Sequence, residues 1–319
     1  MQVQTTQANF AIPGVYFSGR WAQLADNQGV YTSNLGAQIY FQVEKATQIE
    51  LFFTTTATAA GVWLAYQVDQ KPYQRVNLAH MPLKIVLPDE QQHTLRIVYS
   101  GNTPRDNVWK RQGGLCLQKI HCNQEAILTP VKPVGRPITF IGDSITAGSW
   151  LHGTTAGRDY CAEGNYAALV ANQLNLEDIR IAYPGAGVLK PGSGSVPAAA
   201  QFLEQIDADH SWQVQPSQYV VINLGTTDRK ANEIIFRAAF ELLLEKIQLL
   251  YPQTPKLVMI PFSQQHAQVI REESREYPQT QVLETATWNL TYTDGLHPDA
   301  AATPQIVNHV LAALERLAN

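Results

Sequence analysis

Hydrophobic and polar residues alternate along several short segments in the first part of the chain. These segments are rich in Val, Ile, Tyr, Phe and Thr, and Gly, Pro, Asp and Asn separate them. Such alternation predicts half-buried β-strands, and many short strands joined by turns favour a β-sandwich or jelly roll. The predicted strands are GVYFSGRWAQ (14–23), AQIYFQVEKA (37–46), QIELFFTTTA (48–57), GVWLAYQVD (61–69), LKIVLP (83–88) and HTLRIVYSG (93–101).

A proline-rich segment separates this region from the rest of the chain. ILTPVKPVGRP (127–137) contains three prolines and one glycine, which favours a stiff, extended connector. We therefore predict a β-sandwich domain over residues 1–126, a linker over 127–136 and a second domain over 137–319.

After residue 137 the strand-like segments alternate with helix-like ones. Apolar strands separated by helices predict an α/β fold with a parallel sheet covered on both faces. Ligands of such sheets bind at the carboxyl ends of the strands. The predicted strands are ITFIGD (138–143), IRIAYPG (179–185), YVVINLG (219–225), KLVMIPF (256–262) and TQVLETA (280–286), and the predicted helices are EGNYAALVANQLN (163–175), ANEIIFRAAFELLLEKIQLLYP (231–252) and PQIVNHVLAALERLA (304–318).

Composition and charge narrow the classes of function. The 319 residues are 45% hydrophobic and 16% charged, as in ordinary soluble globular proteins. A net charge of -4 argues against a nucleic-acid partner, since no basic excess neutralises phosphates. No stretch is long and apolar enough to cross a bilayer, so we also expect no membrane partner. The sequence does not indicate the oligomeric state.

Cysteine usage and the first residues bear on the compartment. The chain has an odd number of cysteines, and none of them forms a C-x-x-C motif, which predicts reduced thiols. They are Cys116, Cys122 and Cys161. The opening MQVQTTQANFAIPG lacks the basic start and apolar core of a signal peptide. We therefore expect a cytoplasmic protein.

The first strand after the predicted linker runs into GDSIT (142–146) and so presents Ser144 at its carboxyl end. Taken alone, GDSIT is better explained as a turn, because Gly, Asp, Ser and Thr are all turn formers. A serine nucleophile also needs a base, and the base needs an orienting group. Near the C-terminus, Asp294 and His297 lie three residues apart between the last predicted strand and helix. Pro298 and Asp299, which follow, also suit an ordinary helix start.

The other histidines are weaker candidates for the base. His80, His93 and His121 lie in the strand-rich region, and His152, in the loop after Ser144, is the one rival by position. We expect surface or structural roles for the remaining ones, which are His210, His266 and His309.

Two other strand ends can supply hydrogen-bond donors. Acyl transfer places negative charge on a carbonyl oxygen, so N–H or O–H groups must surround that oxygen. The segments AYPGAGV (182–188) and NLGTTD (223–228) contain glycines, which let backbone amides approach a ligand closely. The PGAG of the first segment also suits a common turn.

Together these motifs resemble those of the SGNH (GDSL-type) serine hydrolases. GDSIT, the glycine block of AYPGAGV, the GTTD block and DGLHP occur in the family's order across the whole C-terminal half. The G-x-S-x-G signature of lipase-type α/β hydrolases is absent. With YFSGRW (16–21) in the strand-rich half and NYAALVANQLN (165–175) after GDSIT, the chain is similar to carbohydrate esterase family 2. Those enzymes join a jelly roll to an SGNH domain and remove acetyl groups from sugars.

The resemblance implies a three-layer, parallel-sheet SGNH domain preceded by an all-β jelly-roll domain. It implies that Ser144 is the nucleophile, His297 the base and Asp294 its orienting group. The backbone amides of Ser144 and Gly187 would line the oxyanion hole, with Gly185 as the alternative to Gly187. It implies neither a metal nor an organic cofactor.

One position departs from the family's pattern. The usual third block is Gly-x-Asn-Asp, whose asparagine donates into the oxyanion hole, whereas this chain has Thr227 in that place. Its hydroxyl is a shorter donor, so we expect a weaker contribution. Trp150 and Trp288 are candidate substrate contacts, because sugars stack on aromatic rings, although core packing explains a tryptophan equally well.

These features predict a serine esterase that removes short acyl groups, foremost acetyl, through an acyl-enzyme. The expected partner is a small-molecule or oligosaccharide ester. Three alternatives stay open: a lipid-directed esterase or lysophospholipase of the same superfamily, an acyltransferase, and a glycan-binding protein without catalytic activity.

Overall fold

The computed structural model of the protein describes residues 3–5, 10–25, 28–104 and 106–318. Its N-terminal half is made of strands, as the alternating pattern predicts. They are β1 (Val3–Thr5), β2 (Tyr16–Ser18), β3 (Ala22–Gln23), β4 (Val30–Thr32), β5 (Gln38–Glu44), β6 (Gln48–Thr54), β7 (Trp63–Val68), β8 (Gln74–Asn77), β9 (Leu83–Val86), β10 (His93–Gly101), β11 (Leu115–His121) and β12 (Ile127–Pro130).

Two antiparallel sheets enclose the core of this half. One has the order β12-β5-β10-β7-β8 with β2 paired to β5, and the other has the order β3-β4-β11-β6-β9. Alternate residues of β5 and β6 are fully buried, and Phe41 and Leu51 from the two sheets belong to one hydrophobic cluster. The side-chain period of 2 therefore directs one face of each sheet into a shared core.

The boundaries of this half differ from the predicted ones in two places. The first residues of the predicted linker form β12, which pairs with β5 in the register Ile127 to Glu44. Its one proline, Pro130, is compatible with a strand because β12 lies at the edge of the sheet, where alternate N–H groups face away from the neighbouring strand. At the other end, β1 pairs in parallel with residues 210–212 of the C-terminal half.

The C-terminal half alternates strands with helices. Its elements are β13 (Pro137–Gly142), α1 (Ser144–Ala147), α2 (Tyr166–Gln173), β14 (Glu177–Ala182), α3 (Ala199–Phe202), β15 (His210–Trp212), β16 (Tyr219–Asn223), α4 (Glu233–Leu250), β17 (Lys256–Met259), α5 (Ala267–Arg275), β18 (Thr280–Leu283) and α6 (Thr303–Ala318). Among the described residues, no helix is long and apolar enough to cross a membrane.

The main sheet of this half is parallel, with the strand order β14-β13-β16-β17-β18. The chain moves outward in one direction from β13 to β14 and then in the other direction to β16. The carboxyl ends of β13 and β16 therefore flank the switch point of the sheet, which is where ligands of open α/β sheets bind.

Apolar residues cover both faces of the parallel sheet. On one face, Phe140 and Val221 of the strands cluster with residues of α2 and α6. On the other, Ile181 and Ile222 cluster with residues of α3, α4 and α5. Strands buried on both faces explain why the sequence shows continuous apolar runs here rather than alternation.

Buried polar contacts join the two halves. Arg20 is fully buried, and its Nη2 donates to the Phe202 carbonyl oxygen at 2.8 Å. Ser33 donates to the Ile206 carbonyl oxygen, and the Tyr183 hydroxyl contacts Ser33 at 3.0 Å. Because buried polar groups need partners, these side chains of the strand-rich half depend on the C-terminal half.

Candidate active site

Ser144 lies on the turn between β13 and α1. Asp143 is the N-cap of α1, and its Oδ1 accepts a hydrogen bond from the Ile145 N–H at 2.9 Å. A Cβ on Gly142 would lie 2.1 Å from Thr146 Oγ1, so only glycine permits this tight approach. Ser144 is thereby held as the first residue of a helix at the carboxyl end of β13.

The structure brings the three predicted triad residues into one hydrogen-bonded chain. Ser144 Oγ lies 2.8 Å from His297 Nε2, and His297 Nδ1 lies 2.8 Å from Asp294 Oδ2. The Asp294 carboxylate only accepts, so Nδ1 carries the proton and Nε2 is left to accept from the Ser144 hydroxyl. Asp294 Oδ1 also accepts from the backbone N–H groups of Leu296 and His297, at 3.0 and 2.9 Å.

The surroundings of these residues favour a neutral imidazole beside an ionised carboxylate. Burial lowers the pKa of His297; Asp294 opposes this shift, and the positive charge of Arg229 adds to it. Partial burial alone would raise the pKa of Asp294, but its hydrogen bonds from the backbone and side chain of His297 keep that pKa below its usual range. A neutral imidazole with a free Nε2 can act as a general base at neutral pH.

Asn165 and Tyr166 fix helix α1 from the start of α2. Asn165 Nδ2 donates to the Thr146 carbonyl oxygen at 2.6 Å, and its Oδ1 accepts from the Ala168 N–H at 3.2 Å as the N-cap of α2. The Tyr166 hydroxyl lies 2.8 Å from Thr146 Oγ1. These contacts satisfy the carbonyl end of a one-turn helix that is too short to be stable alone.

The glycine-containing loop after β14 is held by Asp228. The carboxylate of Asp228 accepts from the backbone N–H groups of Val188, Leu189 and Lys190 at 2.7, 3.1 and 3.0 Å. The N–H of Gly187 donates to the Lys190 carbonyl oxygen at 2.8 Å. In this conformation, the amide predicted for the oxyanion hole is therefore already engaged.

The alternative donor, Gly185, lies on the same loop in the left-handed region, with φ of 74°. A Cβ on Gly185 would lie 3.0 Å from Ser193 Oγ. Its neighbour Ala186 donates its N–H to the Tyr183 carbonyl oxygen, so the PGAG segment forms the turn that the sequence equally suits.

Thr227 lies on the loop that follows β16. Strands β13 and β16 pair in the register Gly142 to Asn223, which brings this loop beside the turn that carries Ser144. Thr227 is partly exposed, whereas Thr226 and Asp228 on either side are buried.

Among the described residues, no group of three or more His, Cys, Asp or Glu side chains is arranged to hold a metal ion.

Residues 140–318 match the model of the GDSL-like lipase/acylhydrolase family, which spans more than half of the chain. The chain belongs to this family. The resemblance seen in the sequence motifs is thus confirmed, and the matched residues include Ser144, Asp294 and His297. The family is one of carboxylic ester hydrolases.

Individual relatives extend the likeness of this GDSL-like chain to its strand-rich half. It is 30% identical over 264 residues to the cellulase/esterase CelE of Acetivibrio thermocellus, covering 75% of this chain but only 30% of that relative's length. A family two carbohydrate esterase of Clostridium thermocellum, in complex with cellohexaose, superposes with a TM-score of 0.80 at 20% identity, covering 95% and 98% of the two chains. One of Cellvibrio japonicus has a TM-score of 0.80 at 14% identity, covering 96% and 95%. At these identities the two structures show a shared fold.

The two tryptophans of this GDSL-like chain have different positions. Trp150 lies beside the triad, because its ring is 6.2 Å from the His297 ring and 4.8 Å from that of Tyr160. Trp288 instead stacks on His309 of α6 at 4.3 Å. Trp150 therefore remains a candidate for substrate contact, and packing against α6 accounts for Trp288.

A second aspartate–histidine pair shows that spacing alone does not identify the base. His210 and Asp207 are also three residues apart, and His210 Nδ1 lies 2.9 Å from both carboxylate oxygens. Both are buried, and His210 is the first residue of β15, consistent with the structural role expected for His210. Only His297 combines this spacing with the contact to Ser144.

Arg229 is a residue that the sequence motifs do not single out. It directly follows the GTTD block, and its positive charge acts on His297. Its position after a strand end was the available signal, but nothing in the chain's pattern distinguishes it from any exposed arginine.

Proposed function

We propose that this protein is a serine esterase that removes short acyl groups, foremost acetyl, from carbohydrate esters. The hydrogen-bonded chain from Ser144 Oγ through His297 to Asp294 carries the proposal. A serine, an imidazole and a carboxylate in this geometry are the parts that nucleophilic acyl transfer requires.

In the first half-reaction, Ser144 Oγ attacks the ester carbonyl carbon while His297 Nε2 takes the hydroxyl proton. Asp294 holds the imidazole in position and stabilises its charged form. The tetrahedral intermediate collapses as His297 returns the proton to the leaving alkoxide, which departs as an alcohol. A water molecule, deprotonated by the same Nε2, then attacks the acyl carbon of the acyl-serine. The second tetrahedral intermediate collapses as Nε2 returns that proton to Ser144 Oγ, which releases the carboxylic acid and restores the free serine.

The negative charge on the carbonyl oxygen needs donors that are already in place. Ser144 is the first residue of α1, so its N–H has no carbonyl partner within the helix. We assign it as the principal oxyanion donor, with the Thr227 hydroxyl as a second. Gly187 contributes its N–H only if the bond to the Lys190 carbonyl oxygen opens when substrate binds.

The carbohydrate part of the proposal is supported by the relatives and by Trp150. One structural neighbour is a carbohydrate esterase in complex with cellohexaose. The acetyl group follows from the resemblance to carbohydrate esterase family 2. The Trp150 ring lies beside His297 at the site, where an aromatic face can stack on a sugar ring.

The test is hydrolysis of 4-nitrophenyl esters from acetate to octanoate by the wild type, Ser144→Ala and the exposed-serine control Ser195→Ala. We expect activity to fall with chain length, to be lost in Ser144→Ala and to persist in Ser195→Ala. Equal activity in wild type and Ser144→Ala would overturn the proposal. Preference for octanoate would favour a lipid esterase, and acyl-sugar formation with an added acceptor would favour an acyltransferase.

A further inference from the structure

A cationic pocket adjoins the loop that bears Thr227. This cavity of about 370 Å³ is lined by three cationic residues, Lys190, Arg229 and Lys230, and its lining also includes Thr227 and Asp228. Its volume is at the lower end of the range for small-molecule sites, roughly 300–1,000 Å³. The pocket is therefore large enough to receive part of a substrate.

The pocket carries a net positive charge in a chain whose overall charge is -4. Lys190, Arg229 and Lys230 are exposed, and within the described part of the chain none of them forms a salt bridge. Asp228 is the one carboxylate in the lining, and its oxygens accept from three backbone N–H groups. Three cations around one carboxylate leave the pocket available to an anion.

The pocket lies close to the catalytic residues. Thr227 occupies the position of the expected oxyanion donor, and the register of β13 with β16 brings this loop beside Ser144. The charge of Arg229 is near enough to affect the imidazole of His297. A charged group carried by the ester substrate is therefore a candidate occupant of this pocket.

We infer that the cationic pocket binds a carboxylate on the alcohol half of the ester, so that the substrates are acylated acidic saccharides, such as acetylated uronic acids. This inference rests on the proposed esterase function and adds the charge of the sugar. Arg229 supplies a planar fork suited to a carboxylate, and the lysines add positive charge around it. A sugar phosphate shares this chemistry and is distinguished in the test.

The experiment compares acetate release from tetra-O-acetyl glucuronic acid with release from its methyl ester, which lacks the charge. We expect wild-type kcat/KM to be about tenfold higher for the acid, since each exposed ion pair contributes a factor of about 1.4–5. The triple variant Lys190→Gln/Arg229→Gln/Lys230→Gln brings this ratio to about 1. The control Lys71→Gln/Lys84→Gln/Arg316→Gln removes equal charge from exposed positions elsewhere and keeps the ratio.

Two further measurements separate the possible sources of the effect. Added NaCl is expected to lower the acid-to-ester ratio, because salt screens exposed charges. Glucuronate is expected to inhibit hydrolysis of 4-nitrophenyl acetate more strongly than glucose 6-phosphate does; the reverse order would overturn the assignment of a carboxylate.

A wild-type ratio near 1, or a ratio that the triple variant leaves unchanged, would overturn the inference while leaving the proposed function intact. That function fails on a different observation, which is hydrolysis of 4-nitrophenyl acetate that does not depend on Ser144. Thermal melting of both triple variants establishes that the changes leave the protein folded.

Discussion

Gly187 and Asp228 pack so closely that a Cβ on Gly187 would lie 2.4 Å from both carboxylate oxygens of Asp228. The absence of a side chain at Gly187 lets the carboxylate reach the backbone N–H groups of residues 188–190. Sequence reasoning treats this glycine as an oxyanion donor, whereas the contact gives it a second role in placing the loop beside the site.

We expect Gly187→Ala to lower kcat/KM for 4-nitrophenyl acetate by at least about tenfold and to destabilise the fold by about 1–3 kcal/mol, because the methyl group overpacks the carboxylate. Steady-state kinetics and urea unfolding measure the two effects. Gly295→Ala is the stability control: Gly295 has a φ of 79° but nothing within 4 Å of a Cβ, so it tests backbone strain alone. A Gly187→Ala variant no less stable than Gly295→Ala would contradict the steric argument.

Thr227 provides a test of the oxyanion hole. Removal of one such donor typically costs about 10²–10³ in kcat. We expect Thr227→Val to lose less than this, since the threonine hydroxyl is a shorter donor, and Thr227→Asn to exceed the wild type. Turnover of an acetyl ester by the three proteins decides the matter. If Thr227→Val matches the wild type, the hydroxyl has no part in catalysis.

The pH dependence of activity follows from the environment of His297. The neutral imidazole is the active form, and burial together with the charge of Arg229 lowers the pKa of His297. We therefore expect kcat/KM to increase as the pH is raised, with an inflection below pH 6.5. Arg229→Gln removes a charge that lowers this pKa, and the inflection should move to higher pH. Profiles of kcat/KM from pH 4 to 8, with Lys230→Gln as the matched control, measure the shift. An inflection that moves to lower pH in Arg229→Gln would refute this account.

The two tryptophans give opposite expectations. Trp150→Phe should reduce kcat/KM for an acetyl ester several-fold, because its ring packs against His297. Trp288→Phe should lower Tm through the lost stack on His309 and leave that kcat/KM unchanged. Kinetics and thermal melts of the pair check both statements. Loss of activity in Trp288→Phe at temperatures where it is fully folded would restore this residue to the site.

Asp143 links stability to pH. Burial raises its pKa to about 7, the charge of Asp228 adds to this, and the Ile145 N–H opposes it. Between about pH 4 and 7 the folded protein keeps a proton that the unfolded chain has released, so the free energy of unfolding falls as pH rises. The uncharged Asn does not titrate, so the free energy of unfolding of Asp143→Asn minus that of the wild type should be larger at pH 8 than at pH 5. Urea unfolding at both values measures the difference; an equal difference at the two values would count against a protonated carboxyl.

Local sequence pattern predicts most elements of the C-terminal half. The long helix α4 and the five parallel strands lie within or next to their predicted segments, because strong apolar periodicity fixes them. Helix α5 is missed because Val269 and Ile270 are nearly its only apolar residues. The pairing of β1 with β15 joins segments that are far apart in the chain, and no local pattern reveals such a partner.

The chemistry-bearing residues are easier to predict from sequence than their supports. Ser144, Asp294 and His297 stand out because few residue types perform this chemistry, and they follow strand ends. The engagement of the Gly187 amide with Lys190 depends on a backbone hydrogen bond, which leaves no mark in the residue types. The same holds for Asn165, which acts through its contact with the Thr146 carbonyl oxygen.

The buried contacts between the two halves also bear on how the chain folds during synthesis. The partners of Arg20 and Ser33 come 182 and 173 residues later. At about 5–20 residues per second, a ribosome delivers them roughly 10–35 s after the strands that need them. During that interval the surface of the strand-rich half that the C-terminal half later covers stays open to water. We therefore expect the strand-rich half to be most prone to wrong contacts before residues 202–206 leave the exit tunnel.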